Sequence, residues 1–299
     1  MSGFLISTYK LSFESKAFQR TMRLLAVPAI IQENNQSNAS LLEGIEAIRE
    51  GFQRLLKGPP EVSIVLPAYN EETSILKTLS SLSKSVTQRS VEVIVVNNNS
   101  TDQTAALAHT AGVTCIEECQ QGITPARNTG LAAARGKYIL NADADTIYPP
   151  QWIEEMVKPL QDQDITVVYG RFSFIPGTGT PRFVYFIYEH MADVMRWINK
   201  IFREEAANVY GFNSAFKREE GLQVNGFNHP SGANEDGWLA LKLRRKGFGK
   251  LYYITAITAL VWTTDRRIQM DGGPWKAFLK RIKRILSNDN NKYGGQSPG

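Results

Sequence analysis

Three short runs in this 299-residue chain are apolar without alternation, and they restrict the fold more than any other feature: Val62-Ser63-Ile64-Val65-Leu66, Val91 to Val96, and Tyr138-Ile139-Leu140. A strand with one wet face alternates polar and apolar residues, whereas an unbroken apolar run marks a strand covered on both faces. Between these runs the pattern becomes helical. Ile75, Leu76, Leu79 and Leu82 share one side of a helix starting near Glu71, and Ala105, Leu107 and Ala108 follow Ser100, a candidate cap. Val113 to Ile116 reads as a third strand, and Arg127 to Arg135 as a helix closed by Gly136. Strand–helix alternation at this spacing predicts an α/β fold with a mostly parallel sheet and right-handed crossovers.

Such sheets gather ligands at the carboxyl ends of their strands. Pro67 to Asn70, Asn97 to Asn99 and Asp143 to Asp145 all fall at predicted strand ends. Asp143 and Asp145 flank a small alanine, and carboxylates at a buried strand end need cations or hydrogen-bond donors. Their oxygens suit Mg²⁺ or Mn²⁺, which bind phosphates beside one or two carboxylates. The competing reading is a pair of turn or capping acids before Pro149. Asp236, at a predicted helix start after Ser231-Gly232-Ala233-Asn234, reads either as an N-terminal acid favoured by the helix dipole or as a general base.

Outside this region the chain divides. Residues 1–60 form an N-terminal extension, with Leu41, Leu42, Ile45, Ile48, Phe52, Leu55 and Leu56 at helical spacing before Gly58-Pro59-Pro60. Residues 61–270 form the α/β unit. Phe183 to Phe202 is a long aromatic-rich helix, Pro176 to Pro181 a breaker-rich loop suited to act as a lid, and Leu251 to Trp262 strand-like. In residues 271–299, Trp275, Phe278, Leu279, Ile282 and Leu286 form an apolar stripe among Lys276, Lys280, Arg281, Lys283 and Arg284. That stripe either docks on the main unit or rests on an anionic membrane surface.

Cys115 and Cys119 make no disulfide framework, so a reducing cytoplasm is the simplest setting. No apolar run reaches the ~20 residues of a membrane span. The net charge of +5 is compatible with polyanionic ligands without selecting one.

Taken in order, the motifs resemble family 2 glycosyltransferases over about residues 61 to 265. The likeness is carried by Val62 to Leu66 with Pro67-Ala68-Tyr69-Asn70-Glu71-Glu72, then Val93 to Val96 with Ser100-Thr101-Asp102. Ala126-Arg127-Asn128-Thr129-Gly130, Gly136 to Ile139 leading to Asp143-Ala144-Asp145, and Glu235-Asp236 followed by Arg244-Arg245-Lys246-Gly247 complete it.

The resemblance implies a GT-A fold, a single mixed sheet flanked by helices, and inverting transfer of a sugar from a nucleotide-diphosphate donor. It implies Asp145 as principal ligand of Mn²⁺ or Mg²⁺, with Asp143 at the ribose or in the metal shell, and Asp236 as catalytic base. Pro67, Tyr69 and Glu71 would line the nucleoside pocket, with Asn98 beside the base and Arg127 near the diphosphate. Asn97 and Asn98 depart from the family, which usually carries acids there; a uracil N–H then loses an acceptor-only partner. Arg266 and Arg267 stand where some relatives place a histidine, and could grip the diphosphate.

The implied partners are a nucleotide-sugar donor and a saccharide or lipid-linked acceptor, not nucleic acid, with peripheral contact at the inner membrane face. A sugar nucleotidyltransferase and a catalytically silent binder of the same fold are the alternatives. The first usually carries a basic phosphate loop where this chain has Pro67 to Glu72.

Overall fold

The computed structural model describes residues 23–177, 179–277 and 279–280. Three helices come first: α1 (Ala29–Asn34), α2 (Asn38–Glu43) and α3 (Ile45–Leu55). Gly44 splits the single helical pattern read from the sequence, and Ser37 caps α2 by accepting from the Ser40 N–H. Leu41, Ile48, Phe52 and Leu55 join the same apolar cluster as Val62, Leu79 and Val93, so these helices are built into the core. A Cβ on Gly51 would stand 2.5 Å from the Ser83 carbonyl oxygen; only a glycine lets α3 lie this close to its neighbour.

The alternating half follows as β1 (Val62–Ala68), α4 (Ile75–Ser83), β2 (Val91–Asn97), α5 (Thr104–Thr110), β3 (Thr114–Glu117), α6 (Ile123–Ala133) and β4 (Tyr138–Asn141). β1 lies between β2 and β4, parallel to both, with Val62 opposite Val91 and Tyr138. Val62, Ile64 and Leu66 face one apolar cluster, while Val65 faces a second with Ala126 and Leu131 of α6. Coverage on both faces accounts for the unbroken apolar runs.

The remaining elements are β5 (Thr146–Ile147), α7 (Trp152–Val157), β6 (Ile165–Tyr169), β7 (Phe172–Ile175), α8 (Arg182–Phe202), β8 (Ser214–Lys217), α9 (Arg218–Gln223), α10 (Glu235–Arg245), β9 (Lys250–Tyr253), β10 (Val261–Thr264) and α11 (Arg266–Met270). The main sheet has seven strands in the order β3-β2-β1-β4-β8-β6-β9. β8 is antiparallel to β4 and β6, and the other six strands share one direction. The expectation of a mixed, mostly parallel sheet flanked by helices holds, but the sheet is not single. β5, β10 and β7 form a second, three-stranded sheet, and the 251–262 run is divided between the two.

Several local boundaries move for identifiable reasons. α4 begins at Ile75 rather than Glu71 because the turn before it is locked to the loop after β2. Asn70 has φ +53°, and its N–H donates to Ser100 Oγ. The Glu71 N–H donates to Thr104 Oγ1 and the Glu72 N–H to Asp102 Oδ2. Ser100 therefore does not cap α5, whose N-cap is Gln103 without a side-chain cap; Asp102 Oδ1 accepts from the Thr104 N–H in the first turn. Gly136 does not end a helix, since α6 closes at Ala133. A Cβ there would lie 2.6 Å from the Ser63 nitrogen, and its own N–H donates to Ser63 Oγ. The C-terminal stripe is described only in part: Phe278, Arg281, Ile282, Lys283, Arg284 and Leu286 lie outside the described residues, as does the extension before Arg23.

Candidate active site

The carboxyl ends of β1, β2 and β4 open into a cleft of about 560 Å³, within the usual range for small-molecule sites. Pro67, Tyr69, Glu71, Asn98, Arg127, Asp143, Asp145 and Asp236 line this one cleft. Because β8 runs against its neighbours, the segment entering it, Tyr210-Gly211-Phe212, reaches the same sheet end and forms the opposite wall.

Arg127 on α6 is the centre of charge. Fully buried, it donates from Nη2 to Asp143 Oδ1 at 2.8 Å and from Nη1 to the Ala142 carbonyl at 3.3 Å. Its Nε lies 3.7 Å from Asp236 Oδ1, close enough for attraction but beyond a hydrogen bond. This burial rules out an ordinary surface salt bridge for Arg127.

Asp236 sits in the first turn of α10, whose cap is Asn234, accepting from the Gly237 N–H. Its Oδ1 is buried and accepts no hydrogen bond. Burial pushes its pKa up to about 7, outweighing the attraction of Arg127 and the Gly211 N–H that donates to it; Glu235 and Asp143 add to the rise. A Cβ on Gly211 would fall 2.1 Å from Arg127 Nη2 and 2.6 Å from Asp236 Oδ2. Gly211 is therefore what allows the guanidinium and the carboxylate to meet. Nothing in its sequence surroundings marked it.

Tyr148 was also missed. Its hydroxyl accepts from the Asp143 N–H at 2.9 Å and donates to the Phe212 carbonyl at 3.0 Å, tying the exit of β4 to the opposite wall. Burial holds that hydroxyl protonated, with its pKa well above the usual tyrosine value.

On the other side of Asp143, Asp145 accepts from Thr146 Oγ1 at 3.5 Å and Thr264 Oγ1 at 3.4 Å. Arg266, at the start of α11, donates to Glu71 and lies 3.6 Å from Asp145 Oδ2. The Arg267 side chain lies outside the described residues. Next to Arg266, Asp265 accepts from the Gly177 N–H at 3.0 Å, which ties the expected lid loop to this corner; Thr178 in that loop lies outside the described residues. His229 shares a hydrogen bond with Thr124 Oγ1 and is not among the cleft-lining residues.

Asn98 lines the cleft, yet its amide is committed elsewhere. Nδ2 donates to the carbonyls of Glu118 and Gln120, and Oδ1 accepts from the Gly122 N–H. Asn97 donates to Glu117 Oε2 and Asn99 to the Cys119 carbonyl, so three consecutive asparagines fasten the loop that leads into α6. The departure from the family's acids thus has a structural cause: at 98 a carboxylate could not donate to the two carbonyls, and at 97 it would face the Glu117 carboxylate. Asn98→Asp should lower stability by about 1 kcal/mol through two donor bonds lost to part-buried carbonyls. Urea unfolding checks this, and an unchanged midpoint would contradict it.

Asp143 and Asp145 bring two carboxylates to the cleft. Among the described residues no three His, Cys, Asp or Glu side chains are grouped to hold a metal. Two neighbouring carboxylates suffice for Mg²⁺ or Mn²⁺ when phosphates and water complete the shell.

The model of the family "Glycosyl transferase family 2" matches residues 63–220. Glycosyltransferase AglE of Haloferax volcanii is 33% identical over 129 residues, covering 40% of this chain and 42% of that protein. Probable glycosyltransferase YdaM of Bacillus subtilis is 28% identical over 245 residues, covering 77% of this chain and 55% of that protein. The chain therefore spans about half the length of these curated relatives. Among solved structures, the mannosyltransferase PcManGT from Pyrobaculum calidifontis, in complex with GDP-Man and Mn²⁺, superposes with a TM-score of 0.53 at 23% identity, over 92% of this chain and 78% of that one. At that identity the likeness bears on the fold.

Proposed function

The chain belongs to glycosyl transferase family 2, and from that premise we propose that its cleft transfers a sugar from a nucleotide-diphosphate donor to an acceptor hydroxyl, with inversion. The observation that carries this reading is the meeting of Asp143, Asp145 and Asp236 around Arg127 in one cleft at the strand ends. Residues 61–270 serve as the catalytic unit. A sugar nucleotidyltransferase is disfavoured by the absence of a basic residue between Pro67 and Glu72.

The donor's nucleoside lies against Pro67 and Tyr69, the latter half exposed at the rim. Asp145 and Asp143 would hold Mn²⁺ or Mg²⁺, which when bound supplies positive charge to a leaving diphosphate. Arg266, now shared by Glu71 and Asp145, is in reach of the same diphosphate as a second cation from the chain itself. On the acceptor side, Asp236 Oδ1 takes the proton from the attacking hydroxyl. A carboxylate with a pKa near 7 is well matched to that task at neutral pH. Arg127 holds Asp143 and Asp236 at a fixed separation, and Gly211 keeps the space between them open. The acceptor is a saccharide or a lipid-linked hydroxyl.

The test is donor binding. Thermal-shift titration with a panel of nucleotide-sugars and Mn²⁺ should single out one donor, because a specific ligand stabilises the native state by mass action. Asp145→Ala should abolish the Mn²⁺-dependent part of that shift while its ligand-free melting temperature stays close to the parent's. Equal, equally Mn²⁺-dependent shifts in parent and variant would contradict the assignment.

A further inference from the structure

The short second sheet brings two charged residues together at the cleft. β5 begins at Thr146, directly after Asp145, and β10 ends at Thr264, two residues before Arg266. The two strands run antiparallel with Thr146 opposite Thr263. Continuing that register sets Thr264 beside Asp145, where its Oγ1 donates to Oδ2 at 3.4 Å. Asp265 then turns inward. It is almost wholly buried and accepts from the Gly177 N–H at 3.0 Å, the Tyr185 hydroxyl at 2.5 Å and Gln269 Nε2 at 3.0 Å. With its neighbour moored in this way, Arg266 reaches into the cleft, donates to Glu71 and lies 3.6 Å from Asp145 Oδ2.

Arg266 spans a gap. Glu71 is held on the β1 side, its N–H on Thr104 Oγ1 and its Oε2 accepting from Ser74 Oγ at 2.6 Å, while Asp145 follows β4. The guanidinium therefore bridges the strand ends between which a donor's diphosphate would pass. Charge makes that position decisive. Glu71, Asp143, Asp145, Glu235 and Asp236 line the cleft, whereas its cations among the described residues are Arg127 and Arg266. Arg127 is buried between Asp143 and Asp236, but the Arg266 side chain is 45% exposed and has room to move.

We propose that Arg266 is a built-in counter-ion of Asp145, which holds a divalent cation off this carboxylate until a diphosphate draws the guanidinium away. This role rests on the glycosyl-transfer reading and deepens it, by setting how the donor site fills. A cation arriving alone meets a positive charge already beside the same oxygen, and like charges at this range repel. A diphosphate offers the guanidinium a better partner, because arginine pairs with phosphate oxygens through two parallel N–H bonds. Arg266 then turns to the phosphate, Asp145 is freed for the cation, and each ligand strengthens the other. Such coupling is reciprocal and typically about 5–150-fold in affinity.

The experiment titrates the full chain with Mn²⁺ alone, without nucleotide, and reads free Mn²⁺ by electron paramagnetic resonance. Arg266→Gln keeps a donor for Glu71 but removes the charge, and should bind Mn²⁺ at least about tenfold more tightly than the parent. Arg266→Lys keeps the charge and should stay within about threefold of the parent. Adding Asp145→Ala to Arg266→Gln should remove the gain. No gain in Arg266→Gln, including no measurable binding by either protein, overturns the proposal. So does an equal gain in Arg266→Lys, which would take charge out of the cause. A gain that survives Asp145→Ala puts the ion elsewhere and overturns it too. Glycosyl transfer itself is tested separately by the donor panel. A donor-specific shift in the parent with no Mn²⁺ gain in Arg266→Gln sinks the counter-ion alone, and a gain without any donor shift sinks the transfer reading alone.

Discussion

Asp236→Asn should lower turnover by about 100-fold or more while leaving donor affinity close to the parent's. Asparagine keeps the shape of the side chain but cannot accept the acceptor's proton, whereas the proposed donor contacts involve other residues of the cleft. In the parent, kcat/KM should fall about tenfold per pH unit below about pH 7, where the base becomes protonated. The same substitution should stabilise the fold at high pH. A folded-state pKa of about 7 lies above the ordinary value of 3.8, so between about pH 4 and 7 the folded protein holds more protons than the unfolded chain. The parent's stability therefore falls as pH rises through that window, by about 4 kcal/mol in total. Asparagine does not titrate, so the variant's gain over the parent should grow from pH 4 to pH 8 and then level off. Turnover near the parent's removes Asp236 as the base, and a melting-temperature difference independent of pH contradicts its buried, reluctantly charged state.

Arg127→Met should cost about 3–5 kcal/mol at pH 8, the penalty for removing one partner from a buried ionic group. Methionine fills much of the same volume, so the loss comes from Asp143 and Asp236 left facing one another without the guanidinium. The penalty should shrink at pH 5, where Asp236 is protonated, and the double variant Arg127→Met/Asp236→Asn should recover part of it. Such coupling is typically about 0.5–3 kcal/mol for groups in one network. Denaturant unfolding of the four proteins of this cycle at both pH values measures it. Additive effects at pH 8, or a loss below about 1 kcal/mol, would show that Arg127 does not hold the two carboxylates together.

The parallel half of the fold was legible because burial on both faces leaves a direct trace in sequence, the unbroken runs of β1 and β2. The strand ends then announced the cleft, which Pro67, Tyr69, Glu71, Asn98, Arg127, Asp143, Asp145 and Asp236 line. What sequence did not disclose depends on contacts between distant segments. Gly211 matters because of Arg127 and Asp236, which are far from it in the chain. Tyr148 reads as an ordinary core aromatic until its hydroxyl is placed between Asp143 and Phe212. Asn98 was read as a partner of the donor's base, yet its donors serve carbonyls twenty and more residues later. The three-stranded sheet escaped notice because β5 has only two residues, too few to show a period.

The reversal of β8 has a consequence for how such a cleft can diversify. Each parallel strand delivers its loop to the cleft by leaving the sheet, and must then build a crossover helix to return. β8 delivers its segment on the way in, and its far end leads directly into α9. The wall at 210–212 is thus held by the strand pairing of Ser214 with Asn141 and Tyr169 behind it and by Tyr148 at its side. Outside Gly211, this stretch can change length or side chains without altering any crossover in the nucleotide half. Under the proposed function, recombining residues 210–212 among relatives is therefore a direct test of whether this wall selects the acceptor.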